Sequence, residues 1–100
     1  MNLSFQTDGP VSGNDFVHVL SRTVDMKHWG KLGITVEGDK VDLNAPNAWQ
    51  ELQEKLSCLD NGGAIIIEIP EEIHDISALL KCRIAGILST FDRLVEKMRL

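Results

Sequence analysis

The sequence has few aromatic residues and few cysteines. It contains three phenylalanines, two tryptophans and no tyrosine. Its two cysteines, Cys58 and Cys82, do not form a Cys-x-x-Cys pair. This count excludes a disulfide-rich scaffold and a cysteine-ligated zinc site. We expect both thiols to be free and mostly buried, as in a protein of a reducing compartment, and therefore predict a cytoplasmic location.

Long apolar runs are also absent. The longest nearly uncharged stretch, Ile84 to Phe91, is far shorter than the roughly 20 residues that a membrane-spanning helix needs. No lysine or arginine precedes Arg22, so the basic region of a signal peptide is missing from the start of the sequence. We therefore expect neither a membrane span nor export.

Basic residues are scarce and scattered. The sequence has ten lysines and arginines and fifteen acidic residues, which gives a net charge of -5. Binding to nucleic acid needs a basic face that releases counterions, so we predict no nucleic-acid partner. The sequence also lacks His-x-His, His-Glu-x-x-His, Gly-x-Ser-x-Gly and P-loop motifs. We therefore predict no metal and no cofactor.

The composition is that of an ordinary globular domain. Apolar residues make up 43% and charged residues 25% of the 100 residues, a length that suits one hydrophobic core. We predict a single α+β domain over residues 1–100.

The first half of the chain contains strand and helix patterns. Residues 3–6 alternate apolar and polar before a Gly-Pro turn, which predicts a strand. Ser12 is a candidate helix cap, and apolar residues at helical spacing follow it until the predicted helix ends near Gly30. Residues 34–36 and 41–43 flank a glycine-containing turn and predict a hairpin.

The second half continues with helix, strand and helix. Asn44 and Pro46 suit the start of a helix that a glycine pair at residues 62–63 ends. Its apolar residues recur at intervals of three and four, and we expect them in the core: Trp49, Leu52, Leu56 and Leu59. Residues 64–69 predict a strand inside the sheet. After Pro70 we predict a helix of about 25 residues, with Glu71, Glu72 and Asp75 at its start and Lys97 and Arg99 at its end.

This order of elements predicts a βαββαβ, ferredoxin-like sandwich with an added long C-terminal helix. The strand order cannot be inferred from the sequence. In an alternative, the β-branched residues within 16–24 form a strand, which gives five strands and two helices.

The C-terminal helix carries a sustained heptad seam. The seam consists of Leu80, Ile84, Ile87, Phe91, Leu94 and Met98. A second apolar stripe across Leu79, Leu88 and Val95 makes the helix broader than one packed layer covers, so we predict a homodimer through the seam. In the alternative, the helix covers the open face of the sheet within one chain.

All three histidines follow an acid by three residues. The pairs are Asp15 with His18, Asp25 with His28, and Glu71 with His74. On a helix, each carboxylate would lie on the same face as the histidine that follows it. The carboxylate would then raise the pKa of the imidazole, as in general bases. His18, His28 and His74 are therefore the candidate catalytic residues, and three ordinary surface pairs are the alternative.

Met26, His28 and Trp29 form a candidate contact patch, because methionine and tryptophan are enriched at recognition surfaces. The alternative is that Trp29 closes the core.

Two functions follow from these patterns. The first is a small non-catalytic interaction or regulatory protein, a homodimer that contacts another protein. The second is a small enzyme or ligand-binding domain with a pocket between the sheet and the C-terminal helix.

Overall fold

A computed structural model describes residues 1–88, which fold as one antiparallel sheet with helices packed on one face. The strands are β1 (Asn2–Thr7), β2 (Gly33–Val36), β3 (Asp39–Val41) and β4 (Gly63–Glu68). The helices are α1 (Gly13–Thr23), α2 (Ala48–Ser57) and α3 (Ser77–Leu88). Two 3-10 segments, Met26–Lys31 and Glu71–Ile76, precede β2 and α3. The predicted α+β class and βαββαβ order with a terminal helix are confirmed.

The strand order in the sheet is β1-β4-β2-β3, and every neighbouring pair is antiparallel. β4 therefore lies inside the sheet, as its apolar composition predicts. In the register, Phe5 lies opposite Ile65, which lies opposite Val36, and all three point into the core. The residues between them, such as Ser4 and Thr35, point to the opposite face. Alternation along the strands thus makes one apolar and one mainly polar face.

The three helices form one layer in the order α3-α1-α2. α1 contacts both other helices, while α3 also contacts β1 and α2 also contacts β3. Gly13 permits the close approach of α1 to α2, because a methyl group there would lie 2.7 Å from the Gln53 Cα. α3 therefore packs beside α1, on the same face of the sheet as the other helices. Residues 77–88 do not cover the other face of the sheet.

The side chains that fill the space between sheet and helices form one cluster. Its fully buried members include Phe16 and Leu20 of α1, Leu52 and Leu56 of α2, and Leu80 and Ile84 of α3, all with 0% exposure. Their spacing of four residues on each helix is the spacing that the sequence predicts for a core face.

The first helix is capped as predicted but is shorter than predicted. The Ser12 side chain accepts a hydrogen bond of 3.3 Å from the Asp15 amide. Because Phe16 and Leu20 face the core at helical spacing, the alternative with a strand at residues 16–24 is wrong. The helix ends at Thr23, and Asp25 then caps the first 3-10 segment by accepting from the Lys27 amide at 3.2 Å.

The hairpin prediction is confirmed, and a two-residue turn joins β2 to β3. Glu37 and Gly38 both have positive φ, at 51° and 83°. Turns of this kind match the right-handed twist of the two strands. The Glu37 side chain also accepts a hydrogen bond from the Ala64 amide at 2.8 Å, which ties the turn to β4.

Two predicted helix starts are wrong. Asn44 does not cap α2, which begins at Ala48 after Asn47; the Asn44 side chain instead donates to the Gly30 carbonyl oxygen at 3.3 Å. The final α-helix begins at Ser77, because the preceding acids lie in the second 3-10 segment, where Ile73 has a non-helical φ of -126°. Lys97 and Arg99 lie outside the described residues. Within residues 1–88, no helix is long and apolar enough to cross a membrane.

Candidate functional site

The three candidate catalytic histidines lie on three different elements. His18 is exposed on α1, His28 is half-buried in the first 3-10 segment, and His74 is exposed in the second. Within residues 1–88, no histidine forms an ion pair with an acid. His74 Nδ1 instead lies 2.8 Å from the Glu71 backbone carbonyl oxygen. The spacing of three residues therefore does not produce an ion pair between an acid and the histidine that follows it within residues 1–88.

His28 belongs to a small polar cluster between the two 3-10 segments. Lys31 Nζ donates to a Glu72 carboxylate oxygen at 2.6 Å. This hydrogen bond and the charge of Lys31 hold the pKa of Glu72 below its ordinary value, and His28 lowers it slightly further. His28 Nδ1 is buried without a hydrogen-bond partner among the described residues. The cluster joins the two segments through the ion pair between Lys31 and Glu72.

Replacing Lys31 with methionine is expected to raise the pKa of Glu72 toward that of an ordinary glutamate, because the donor and its charge are both removed. The ion pair stabilises the fold above the pKa of unfolded glutamate, and this contribution is lost as the pH falls through the lowered folded pKa. An NMR titration of the Glu72 carboxyl carbon measures the shift. Lys55→Met, which removes the pair with Asp39, is the matched control and should leave Glu72 unchanged. An unchanged Glu72 pKa in Lys31→Met would contradict this prediction.

The predicted contact patch contains residues of unequal exposure. Met26 is 74% exposed, whereas His28 and Trp29 are half-buried. The Trp29 ring packs edge-on against Trp49 with centroids 4.6 Å apart, and its Nε1 donates to the Val24 carbonyl oxygen at 2.7 Å. Trp29 therefore fastens the first 3-10 segment to α1 and α2, and Met26 is the exposed apolar member of the patch.

A cationic groove runs between α1 and α3. Its volume is about 430 Å³, and its lining residues are His18, Val19, Arg22, Cys82, Arg83, Gly86 and Ile87. Arg83 donates to Thr23 Oγ1 at 2.9 Å and to the Arg22 carbonyl oxygen at 3.4 Å, so its position beside the end of α1 is fixed. No carboxylate is among the lining residues. The groove is thus a positively charged surface on a chain whose net charge is negative.

The described part of the heptad seam is divided between the core and the surface. Leu80 and Ile84 are fully buried within the single chain, and Ile87 is half-buried. Phe91, Leu94 and Met98 lie outside the described residues. The exposed side of α3 is also apolar, because Leu79 is 48% exposed and Ala78 and Cys82 are exposed beside it. We call Ala78, Leu79 and Cys82 the outer face of α3.

No family model, curated protein or solved structure matches this chain.

Sequence reasoning missed the two most distinctive features of this surface. The expectation of mostly buried thiols is wrong, since Cys58 and Cys82 are both free and exposed. Arg22 and Arg83 were not predicted to meet, because 61 positions separate them and only the packing of α1 on α3 brings them together.

Within residues 1–88, no group of three or more potential ligands lies close enough to hold a metal ion.

Proposed function

We propose that this chain is a small non-catalytic interaction or regulatory protein that forms a homodimer through its C-terminal helix. The observation that carries the proposal is the apolar outer face of α3. A helix on the surface of a monomer ordinarily has one apolar side and one charged side. α3 instead has buried leucine and isoleucine on one side and Leu79 exposed on the other. Of its two charged residues, Lys81 is exposed and Arg83 is half-buried.

An exposed apolar helix face favours association, because water is removed from both copies at once. A second copy of the same chain presents the same face, and a two-fold axis closes such a contact without leaving a free surface. The small side chains of Ala78 and Cys82 beside Leu79 allow two helices to approach closely. The seam residues beyond Leu88 belong to the same proposal and lie outside the described residues.

The proposal includes a contact with another protein and a cytoplasmic location. Met26, at 74% exposure, is the residue of the contact patch best placed to touch a partner. Two unpaired, exposed thiols are typical of a protein in a reducing compartment, which supports the location.

Replacing Leu79 with aspartate is expected to convert the dimer into a monomer, because a charge would be buried without a partner at the centre of the contact. Since Leu79 is not part of the core, the free energy of unfolding of the monomer should change by about 0.5 kcal/mol or less. Size-exclusion chromatography with light scattering measures the mass, and urea denaturation at low protein concentration measures the stability. Met26→Asp, at another exposed apolar residue that lies away from α3, is the control and should remain dimeric. A Leu79→Asp protein with the mass of wild type would overturn the proposal.

A further inference from the structure

Charges of opposite sign lie at equal sequence separations on either side of Leu79. Asp75 precedes Leu79 by four residues, and Arg83 follows it by four residues. Asp75 is exposed and has no ion-pair partner within residues 1–88. The acidic second 3-10 segment therefore lies at one end of the outer face of α3, and the cationic groove lies at the other.

The groove extends the positive end of this surface beyond α3. Arg22 is exposed on α1, and like Arg83 it has no carboxylate partner within residues 1–88. His18 and Arg22 line the groove one helical turn apart. The groove thus offers guanidinium groups to an acid that approaches along α3, and guanidinium binds carboxylate with matched geometry.

We infer that two copies of this chain associate through antiparallel α3 helices, with Leu79 at the two-fold axis and Asp75 of each copy against the Arg22 and Arg83 groove of the other. This inference rests on the proposed function, because it specifies how the proposed homodimer is built. An antiparallel pair centred on Leu79 brings position 75 of one copy beside position 83 of the other. The apolar centre is then flanked on both sides by pairs of opposite charge.

The parallel arrangement is disfavoured by the same charges. It would place Asp75 beside Asp75 and Arg83 beside Arg83, and like charges that face each other across an interface oppose association. The net charge of -5 on each copy already opposes association. Antiparallel pairing brings the positive groove of one copy to the negative segment of the other, which reduces this repulsion where the two surfaces meet.

Charge reversal tests the inference. Asp75→Lys and Arg22→Glu should each weaken homodimerisation by about tenfold or more, because each creates two like-charge contacts per dimer. An equimolar mixture of the two variants should form a heterodimer, because both of its contact sites then hold an opposite-charge pair: the reversed pair at one site and the native pair at the other. The fraction of each variant in the dimer is measured by native mass spectrometry. Arg22 is chosen because Arg83 also holds Thr23, and its loss would disturb the fold.

The controls are Asp15→Lys and Lys27→Glu, which reverse an exposed acid near the start of α1 and an exposed lysine in the first 3-10 segment. Both should dimerise as wild type does. Circular dichroism checks that every variant is folded. A wild-type protein that is monomeric would overturn both the proposed function and this inference. A wild-type dimer whose affinity does not respond to reversal at residues 22 and 75 would overturn the antiparallel arrangement alone.

The native thiol on the outer face provides an independent test of direction. In an antiparallel pair centred on Leu79, the two Cys82 residues are displaced along the helix axis by about 9 Å, from the rise of 1.5 Å per residue. A disulfide requires Cα atoms within about 7 Å, so mild oxidation of Cys58→Ser should not yield a Cys82 disulfide dimer. Leu79→Cys in a Cys58→Ser, Cys82→Ser background places a thiol at the axis and should crosslink readily. Rapid crosslinking through Cys82 indicates parallel helices and would overturn the inference.

Discussion

Replacing Ile84 with alanine is expected to lower the free energy of unfolding by about 2 to 5 kcal/mol, the range for a fully buried aliphatic side chain. Ile84 has 0% exposure and packs into the core shared by the sheet and the three helices. The substitution leaves a cavity that the surrounding side chains fill only in part. Urea denaturation of the purified variant at a fixed low protein concentration measures the loss.

Leu79→Ala is the matched control for Ile84→Ala, because both residues are aliphatic and lie on the same helix. Leu79 is 48% exposed, so its truncation should change the stability of the monomer by about 0.5 kcal/mol or less. The two variants separate core residues of α3 from interface residues. Ile84→Ala should lower the free energy of unfolding, and Leu79→Ala should lower the affinity of the chain for a second copy. Equal loss of stability in both variants would contradict this division of the helix.

Replacing Gly62 with alanine is expected to destabilise the fold by about 2 kcal/mol or more, the sum of a backbone penalty and a steric overlap. Gly62 has a φ of +84°, where a side chain is disfavoured. A methyl group at this residue would also overlap the backbone carbonyl oxygen of Thr7, at the end of β1. Because β1 pairs with β4 next to this point, the strain is expected to reach the sheet edge. Thermal unfolding followed by circular dichroism provides the measurement.

Gly38→Ala separates the two contributions. Gly38 has nearly the same φ, +83°, but a methyl group there would have no heavy atom within 4 Å. Its cost should therefore be limited to the backbone penalty of about 1 kcal/mol. If Gly38→Ala and Gly62→Ala lower the free energy of unfolding equally, the steric overlap with Thr7 does not contribute to the destabilisation at residue 62.

The elements that the sequence predicts correctly are those with strong local signals. Ser12 with a helical apolar spacing after it marks the start of α1, and the Gly38 turn between two alternating runs marks the hairpin. The four-residue spacing of Leu52 and Leu56 identifies a core face. Each of these features depends on residues within a few positions of one another, so its physical cause is present in the sequence.

The features that the sequence does not predict depend on tertiary contacts. Asn44 is a suitable cap by residue type, yet its side chain bonds to Gly30, which lies 14 positions away. The acids after Pro70 resemble the first turn of a helix, but Lys31 binds Glu72 from 41 positions away. The groove likewise forms only when α3 packs beside α1. Local patterns cannot identify the partner of a residue when that partner comes from another element.

The position of α3 also explains why its sequence indicates both burial and association. The inner side, with Leu80 and Ile84, completes the core of one chain, and the outer face, with Leu79, remains available to a second. A single heptad pattern does not distinguish these two uses of an apolar residue. The division is decided by which side of the helix faces α1 and β1.

Sedimentation equilibrium of the wild-type protein across a hundredfold range of concentration tests self-association most directly. We expect a mass that rises from that of one chain of 11.1 kDa toward twice that value as the concentration increases. The melting temperature should rise with concentration over the same range, because association stabilises the folded state. A mass of one chain at every concentration would contradict self-association and would leave the outer face of α3 without its proposed role.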